Sequence, residues 1–333
     1  MVELDSTTNG VQLTEHEAEL YDRQIRLWGL ESQKRLRASK ILIIGLSGFG
    51  AEIAKNIILA GVKSVTFLDD KDLTADDCCS QFLAPTTEVG KNRAEVSLTR
   101  ARALNPMVEI TADKEPVEKK EASFFEQFNV VVATGLPKTQ LETVNAHCRT
   151  ANVKFFAGDV WGMTGYSFAD LQEHEFVEDV TKHKTISKPG DKVKTELVTA
   201  QVKRQLSFKP IKGIFEVNPE HQAFRRNVKR VGPGIYVLIV LHQFREEHNR
   251  DPNYSSRNED FKTLLKLRDE IVDPKVCPDD AFQHIFSQIS PTAAIVGGVL
   301  SQEIIKTVSQ KDSPLNNFFI FDPETCRGYV ETF

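Results

Sequence analysis

Three glycines and a carboxylate fall close enough together to act on one ligand. In K-I-L-I-I-G-L-S-G-F-G-A-E-I-A-K-N-I-I-L-A-G-V-K-S-V-T-F-L-D-D, residues 40–70, Gly45, Gly48 and Gly50 separate an apolar, β-branched run from a segment with apolar residues at Ile53, Ile57 and Ile58. That order reads as strand, tight turn and helix, with Gly61 placed to end the helix and a second buried run closing on Asp69. Backbone amides at such a turn can approach a phosphate at the helix N-terminus, and a carboxylate at the end of the second strand can hold a ribose hydroxyl. The spacing is G-x-x-G-x-G, not G-x-G-x-x-G, so the same glycines serve equally a βα turn that needs close packing and binds nothing. Two further groups have chemical potential. Arg23 and Arg26 share the polar face of an N-terminal helix, an arrangement that by itself is an ordinary solvated face. Of the five cysteines none has C-x-x-C spacing, so neither a zinc site nor a disulfide framework is indicated, and adjacent Cys78 and Cys79 read as a reduced pair.

The elements that position these groups alternate. Thr14 and Glu17 have capping-box spacing and lead into a helix whose Leu20, Ile25, Leu27 and Trp28 can form an apolar stripe. Residues 1–13 are expected to be a flexible tail. After the βαβ unit, helices are expected to start near residue 89, stopping at Asn105-Pro106, and over 122–128 and 138–150; strands are expected over 107–111, 130–133 and 153–157. The expected fold is therefore α/β, Rossmann-like, a mostly parallel sheet with helices on both faces. Beyond residue 158 the pattern becomes glycine-punctuated strand. Residues 178–206 are charged and poorly periodic, and read as an exposed, partly disordered polar crossover. A helical insertion at about 220–288 is expected to hold helices over 222–229, 235–248 and 261–272. A last helix carries Gly297-Gly298, which implies very close packing against the sheet, and two strands end the chain.

A formal charge of −5 over 333 residues gives no basic footprint for nucleic acid. No apolar run of about 18 residues is present, and the first ten residues are too polar for a signal peptide, so no membrane partner and an intracellular, soluble chain are expected.

Y-D-R-Q-I-R-L-W-G at 21, the glycine run at 45, V-G-K-N-R-A-E-V at 89 and G-G-V-L-S-Q-E-I-I-K near the C-terminus occur in this order. Together they resemble the enzymes that activate ubiquitin-like proteins, and within that family the small subunits of heterodimeric SUMO-activating enzymes, over nearly all of residues 15–333. H-E-F-V-E-D at 174 and the N-N-F-F-I-F-D ending fit the same subunits. Related NEDD8-pathway subunits are longer, and in ubiquitin activation the matching segment is fused to a catalytic half. The resemblance implies the ThiF/MoeB type of adenylation fold and a chemistry in which a C-terminal glycine carboxylate attacks the α-phosphate of Mg-ATP, before a partner cysteine takes the acyl group.

Such a site needs cations on the triphosphate and a carboxylate on magnesium. Against the family pattern this chain has Ser47 at the second glycine of the turn, Ser80 at a phosphate-binding arginine, Arg93 at a lysine, and Leu136 at the magnesium-binding aspartate. Asp69 is retained. What the resemblance implies is a degenerate nucleotide pocket at Gly45, Gly48, Gly50 and Asp69, no metal held by this chain, and Mg-ATP bound mainly by a catalytic large subunit in an obligate heterodimer. SUMO would meet the complex directly or indirectly, and the expected location is the nucleus, alone or with the cytoplasm. The first arginine of Y-D-R-Q, Arg23, would act in trans on the ATP of that partner, while Arg26 stays a structural or solvated residue. None of Cys148, Cys277 and Cys326 sits in the family's catalytic-cysteine motif. The alternatives are an NAD-binding oxidoreductase using Asp69 on the adenine ribose, the small subunit of another ubiquitin-like activating enzyme, and a self-sufficient homodimeric adenylating enzyme of the sulfur-carrier type.

Overall fold

A computed structural model describes residues 13–185, 195–218, 220–221, 224 and 233–333. The tail over 1–12 and nearly all of the helix expected over 222–229 lie outside the described residues. The described residues begin with three short helices, α1 (Glu15–Leu20), α2 (Asp22–Trp28) and α3 (Leu30–Ala38). The capping box of Thr14 and Glu17 forms as the spacing predicts, and the Glu17 carboxylate also receives Arg37 at 2.6 Å. The apolar stripe does not form. The helix breaks at Tyr21, and it is Tyr21 that is buried, whereas Leu20 and Leu27 are 54% and 72% exposed.

The central unit is β1 (Lys40–Ile44), α4 (Gly48–Ala60) and β2 (Ser64–Leu68), paired in parallel with Lys40 opposite Ser64 and Ile44 opposite Leu68. Successive β1 residues feed opposite faces: Leu42 and Ile44 join one apolar core, Ile41 and Ile43 the other. Then follow α5 (Arg93–Leu104), β3 (Glu109–Asp113), α6 (Ala122–Phe125), β4 (Val130–Thr134), α7 (Lys138–Thr150), β5 (Lys154–Trp161) and β6 (Thr164–Asp170). With the C-terminal strands β9 (Phe318–Asp322) and β10 (Arg327–Glu331) they form an eight-stranded sheet ordered β10-β9-β6-β5-β4-β1-β2-β3. The run β5-β4-β1-β2-β3 is parallel, and β6, β9 and β10 are added antiparallel.

Residues expected to form an irregular crossover instead build a ribbon of β7 (Glu173–Thr185) and β8 (Thr195–Ser207), in register from Glu173 opposite Ser207 to Thr185 opposite Thr195. Taken one strand at a time, its charges read as a solvated tract. They are cross-strand partners: Glu175 meets Lys203 and Glu178 meets Arg204.

The insertion contributes α8 (Gly234–His248) and α9 (Arg257–Ile271), and the last helix is α10 (Ser290–Ser309). Close packing at Gly297 is confirmed, but against a helix: a Cβ there would lie 3.0 Å from the Cβ of Glu52 on α4, and Gly298 faces open space. Gly297 thus sets the α4 to α10 distance, not a helix to sheet distance. Among the described residues no helix is long and apolar enough to cross a membrane.

Candidate functional site

The glycine turn lies between β1 and α4, at the carboxyl ends of the parallel strands, where open α/β sheets take ligands. Its glycines are fixed by packing. Gly45 has φ +81° and a Cβ there would fall 2.3 Å from the Thr134 carbonyl oxygen; at Gly50 it would fall 2.1 Å from the Gly45 carbonyl oxygen. At Gly48 it would strike Ser80, 2.0 Å from Oγ and 2.4 Å from Cβ. Gly48→Ala is therefore expected to cost about 1–3 kcal/mol by overpacking, read as a lower urea midpoint, and Ser80→Gly in the same chain should recover much of it. A Gly48→Ala chain as stable as the parent would contradict this packing.

The amides of this turn are partly spent. Asp69 is buried; its Oδ2 accepts the Leu46 N–H at 2.6 Å and Arg93 Nε at 2.8 Å, and its Oδ1 accepts the Lys71 N–H at 3.1 Å. The Phe49 N–H, near the start of α4, donates to Gln288 Oε1 at 3.2 Å. Arg93 reaches Asp77 as well, through Nη1 at 2.8 Å. Burial works against its charge, yet the two carboxylates more than offset this and hold its guanidinium above the ordinary arginine range.

Behind the turn after β4, buried Arg245 and Asp159 form a network with partly exposed Asp251. Arg245 Nη1 donates to Asp159 Oδ2 at 2.7 Å and to the Leu136 carbonyl at 3.1 Å, and its Nε and Nη2 donate to Asp251 at 2.8 and 3.0 Å. Asp159 Oδ1 accepts the Gly135 N–H at 2.9 Å, and Trp161 Nε1 donates to Asp251 at 2.8 Å. Leu136 itself is an apolar wall that offers nothing to a hard cation.

Sequence reasoning and structure meet at this cleft. Gly45, Ser47, Asp69, Arg93 and Leu136 line one side of it, and Ser47, Ser80 and Arg93 line a wider adjoining cleft of about 930 Å³. Asp69 lines the cleft with three protein donors already on it, two on Oδ2 and one on Oδ1. Gln288 and the Arg245 network carry no motif in the sequence. Only their distance in the chain from the glycine turn kept them out of sight.

Arg23 is not at this cleft. The Tyr21 ring covers Gly61, its hydroxyl receives Asn105 Nδ2 at 2.9 Å, and Gln24 Nε2 donates to the Leu59 carbonyl at 3.1 Å, so α2 is pinned to the C-terminal end of α4. A helix of 13 residues spans about 20 Å, which separates Arg23 from its own glycine turn by that length. Arg26 pairs with Asp22 on the surface; Arg23 is exposed and makes no ion pair with the described residues.

Cys148 and Cys277 are buried. Burial pushes the Cys277 thiol up to about 12, and burial with Asp170 nearby also raises that of Cys148. Iodoacetamide at pH 8 is expected to label exposed Cys79 and Cys326 and to spare Cys148 and Cys277 in the folded chain. Labelling of Cys277 at the rate of Cys326 would refute its placement.

Residues 21–332 match the ThiF family. The chain is 45% identical over 331 residues to SUMO-activating enzyme subunit 1 of Xenopus laevis, covering 96% of each protein, and 46% identical over 331 residues to that of Rattus norvegicus, covering 96% of this chain and 95% of the relative. It is 43% identical over 334 residues to the Danio rerio protein of the same name, covering 96% of each. A crystal structure of E. coli MccB with succinimide shares the fold, with a TM-score of 0.54 at 13% identity over 94% of this chain and 71% of that one. The match from Tyr21 to the last strand, carried on a parallel sheet with a glycine turn at its carboxyl edge, shows that this chain belongs to the ThiF family.

Proposed function

We propose that this chain is the small, non-catalytic subunit of a heterodimeric SUMO-activating enzyme, which completes the ATP site of a catalytic partner. Its own cleft does not suit Mg-ATP. Leucine stands where a metal carboxylate is needed, Gln288 caps an amide of the turn, and Arg93 is held by Asp69 and Asp77.

The observation that carries the positive half is the position of Arg23. It is exposed, without an ion-pair partner among the described residues, and a helix length away from its own cleft. It can meet a nucleotide only across a boundary with another chain. The surface around it supports that boundary, since Leu20, Leu27 and Leu30, 54%, 72% and 45% exposed, stand out on the same short helices. An obligate contact of this kind buries about 2,000–5,000 Å². In the assembled enzyme the partner's site would hold Mg-ATP, the modifier's carboxylate would attack the α-phosphate and displace pyrophosphate, and this chain would supply Arg23 and a rigid surface. The complex works in the nucleus, with some in the cytoplasm.

The experiment is to assay ATP–pyrophosphate exchange with SUMO for this chain alone, for the catalytic partner alone, and for the two together. Exchange only on mixing is expected. Exchange by this chain alone would show a self-sufficient enzyme and end the proposal.

A further inference from the structure

Arg23 is of use only if it is held in one place, and the helix that carries it has little of its own to hold it there. Helix α2 is seven residues long and none of them is buried. A helix of about two turns is marginal by itself, so its position must come from what it touches. What it touches is the end of α4. The last turn of a helix presents carbonyls that have no partner within the helix, and here three in succession are met by side-chain amides. Ile58 receives Asn105 Nδ2 at 2.9 Å, Leu59 receives Gln24 Nε2 at 3.1 Å, and Ala60 receives Gln33 Nε2 at 3.0 Å.

Each amide is also a link to α2. Gln24 belongs to it. Asn105 Nδ2 donates its other hydrogen to the hydroxyl of Tyr21, the residue before α2 begins, at 2.9 Å. Gln33 Oε1 accepts Nε1 of Trp28, the last residue of α2, at 2.9 Å. The helix is thus tied at its start, middle and end to a single turn of α4, which is itself buried along most of its length. Apolar contact would let a short helix slide or rotate, whereas hydrogen bonds to fixed carbonyls are directional and set both its depth and its rotation. Exposed Arg23 lies between the first two ties, one residue before Gln24. A displacement of about 1 Å can forfeit a large part of what a positioned group contributes to a reaction.

We propose that Tyr21, Gln24 and Trp28 are positioning residues for Arg23: through them α2 takes its place from the end of α4, and the guanidinium is presented to the partner's nucleotide already oriented. This rests on the reading that Arg23 acts in trans. The test is a set of double-mutant cycles on the assembled heterodimer, isolated by size-exclusion chromatography, with ATP–pyrophosphate exchange measured at subsaturating ATP. Tyr21→Phe removes only the hydroxyl. Gln24→Met removes the donor together with an Oε1 that is shielded without a partner, so the unfolding midpoint should hardly move. Each is expected to slow exchange about three- to tenfold, and the two together by no more than Arg23→Ala alone. In the Arg23→Ala background neither should slow it further, whereas a merely structural role would lower the rate by the same factor in both backgrounds. Amide hydrogen exchange over residues 22–28 of the full chain should rise about threefold or more in each variant while that of α4 is unchanged. Full activity in both variants, equal losses with and without Arg23, or unchanged amide exchange over residues 22–28 would overturn the positioning role. Full activity in both variants beside a slow Arg23→Ala enzyme ends this inference alone; an Arg23→Ala enzyme at full rate ends the trans reading and this inference with it.

Discussion

Arg245→Met is expected to lower the unfolding free energy by about 3–5 kcal/mol, a large part of the roughly 5–15 kcal/mol that holds a typical domain together. Methionine replaces most of the stem but none of the charge. Asp159 would then lie buried without its cation, and burial already pushes its carboxyl above the usual carboxylate range even with Arg245 beside it. The Leu136 carbonyl would lose its donor, Asp251 would lose two, and the guanidinium that sits 4.7 Å from the Trp161 ring would be gone. Chemical denaturation followed by circular dichroism measures the loss. Asp159→Asn in the same chain should recover a measurable part, because the amide keeps an oxygen for the Gly135 N–H while no longer burying a charge. If the double variant is no more stable than Arg245→Met alone, the unpaired carboxylate is not the cause.

The second large effect is on rate. Arg23→Ala should leave the heterodimer intact and slow ATP–pyrophosphate exchange about ten- to a hundredfold at subsaturating ATP, the equivalent of roughly 1.5–3 kcal/mol for a charge-assisted hydrogen bond to phosphate. A planar guanidinium suits paired phosphate oxygens in a way that an ammonium does not, so Arg23→Lys should recover only part of the rate. Arg26→Ala is the control. Its exposed i,i+4 pair with Asp22 contributes no more than about 0.5 kcal/mol, and exchange should be unchanged. Assembly is checked by co-purification and size-exclusion chromatography. Unchanged exchange with Arg23→Ala would remove its role in trans and leave this chain a scaffold alone.

Much of this protein could be read from local pattern. The capping box at Thr14 and Glu17, the β1-α4-β2 unit, the alternation of strands and helices through residue 161 and the helix around Gly297 all form, because each is specified by periodicity and turn residues within a few positions of itself. The ribbon of β7 and β8 was not legible. Its charges look like a solvated tract until the register places Glu178 opposite Val202 and next to Arg204, and register is a property of two strands together. The buried stripe expected at Leu20 and Leu27 failed for a related reason: which face of a short helix is covered depends on what packs there, and here Tyr21 takes that place.

By itself the sequence determined that the chain folds as a Rossmann-like sheet with a glycine turn, and that Ser47, Ser80, Arg93 and Leu136 are the residues placed around that turn, since identity at fixed spacing is a local fact. Only the tertiary structure decided what those positions became. Gln288, Arg245 and Asp251 lie far along the chain from Gly45, and nothing in their own neighbourhoods marks them for the cleft until the fold brings them to it. It also decided that Arg23 lies a full helix away from the turn. A guanidinium's reach is set by distance through space, and that distance is fixed by the packing of Tyr21 on Gly61, two residues forty positions apart.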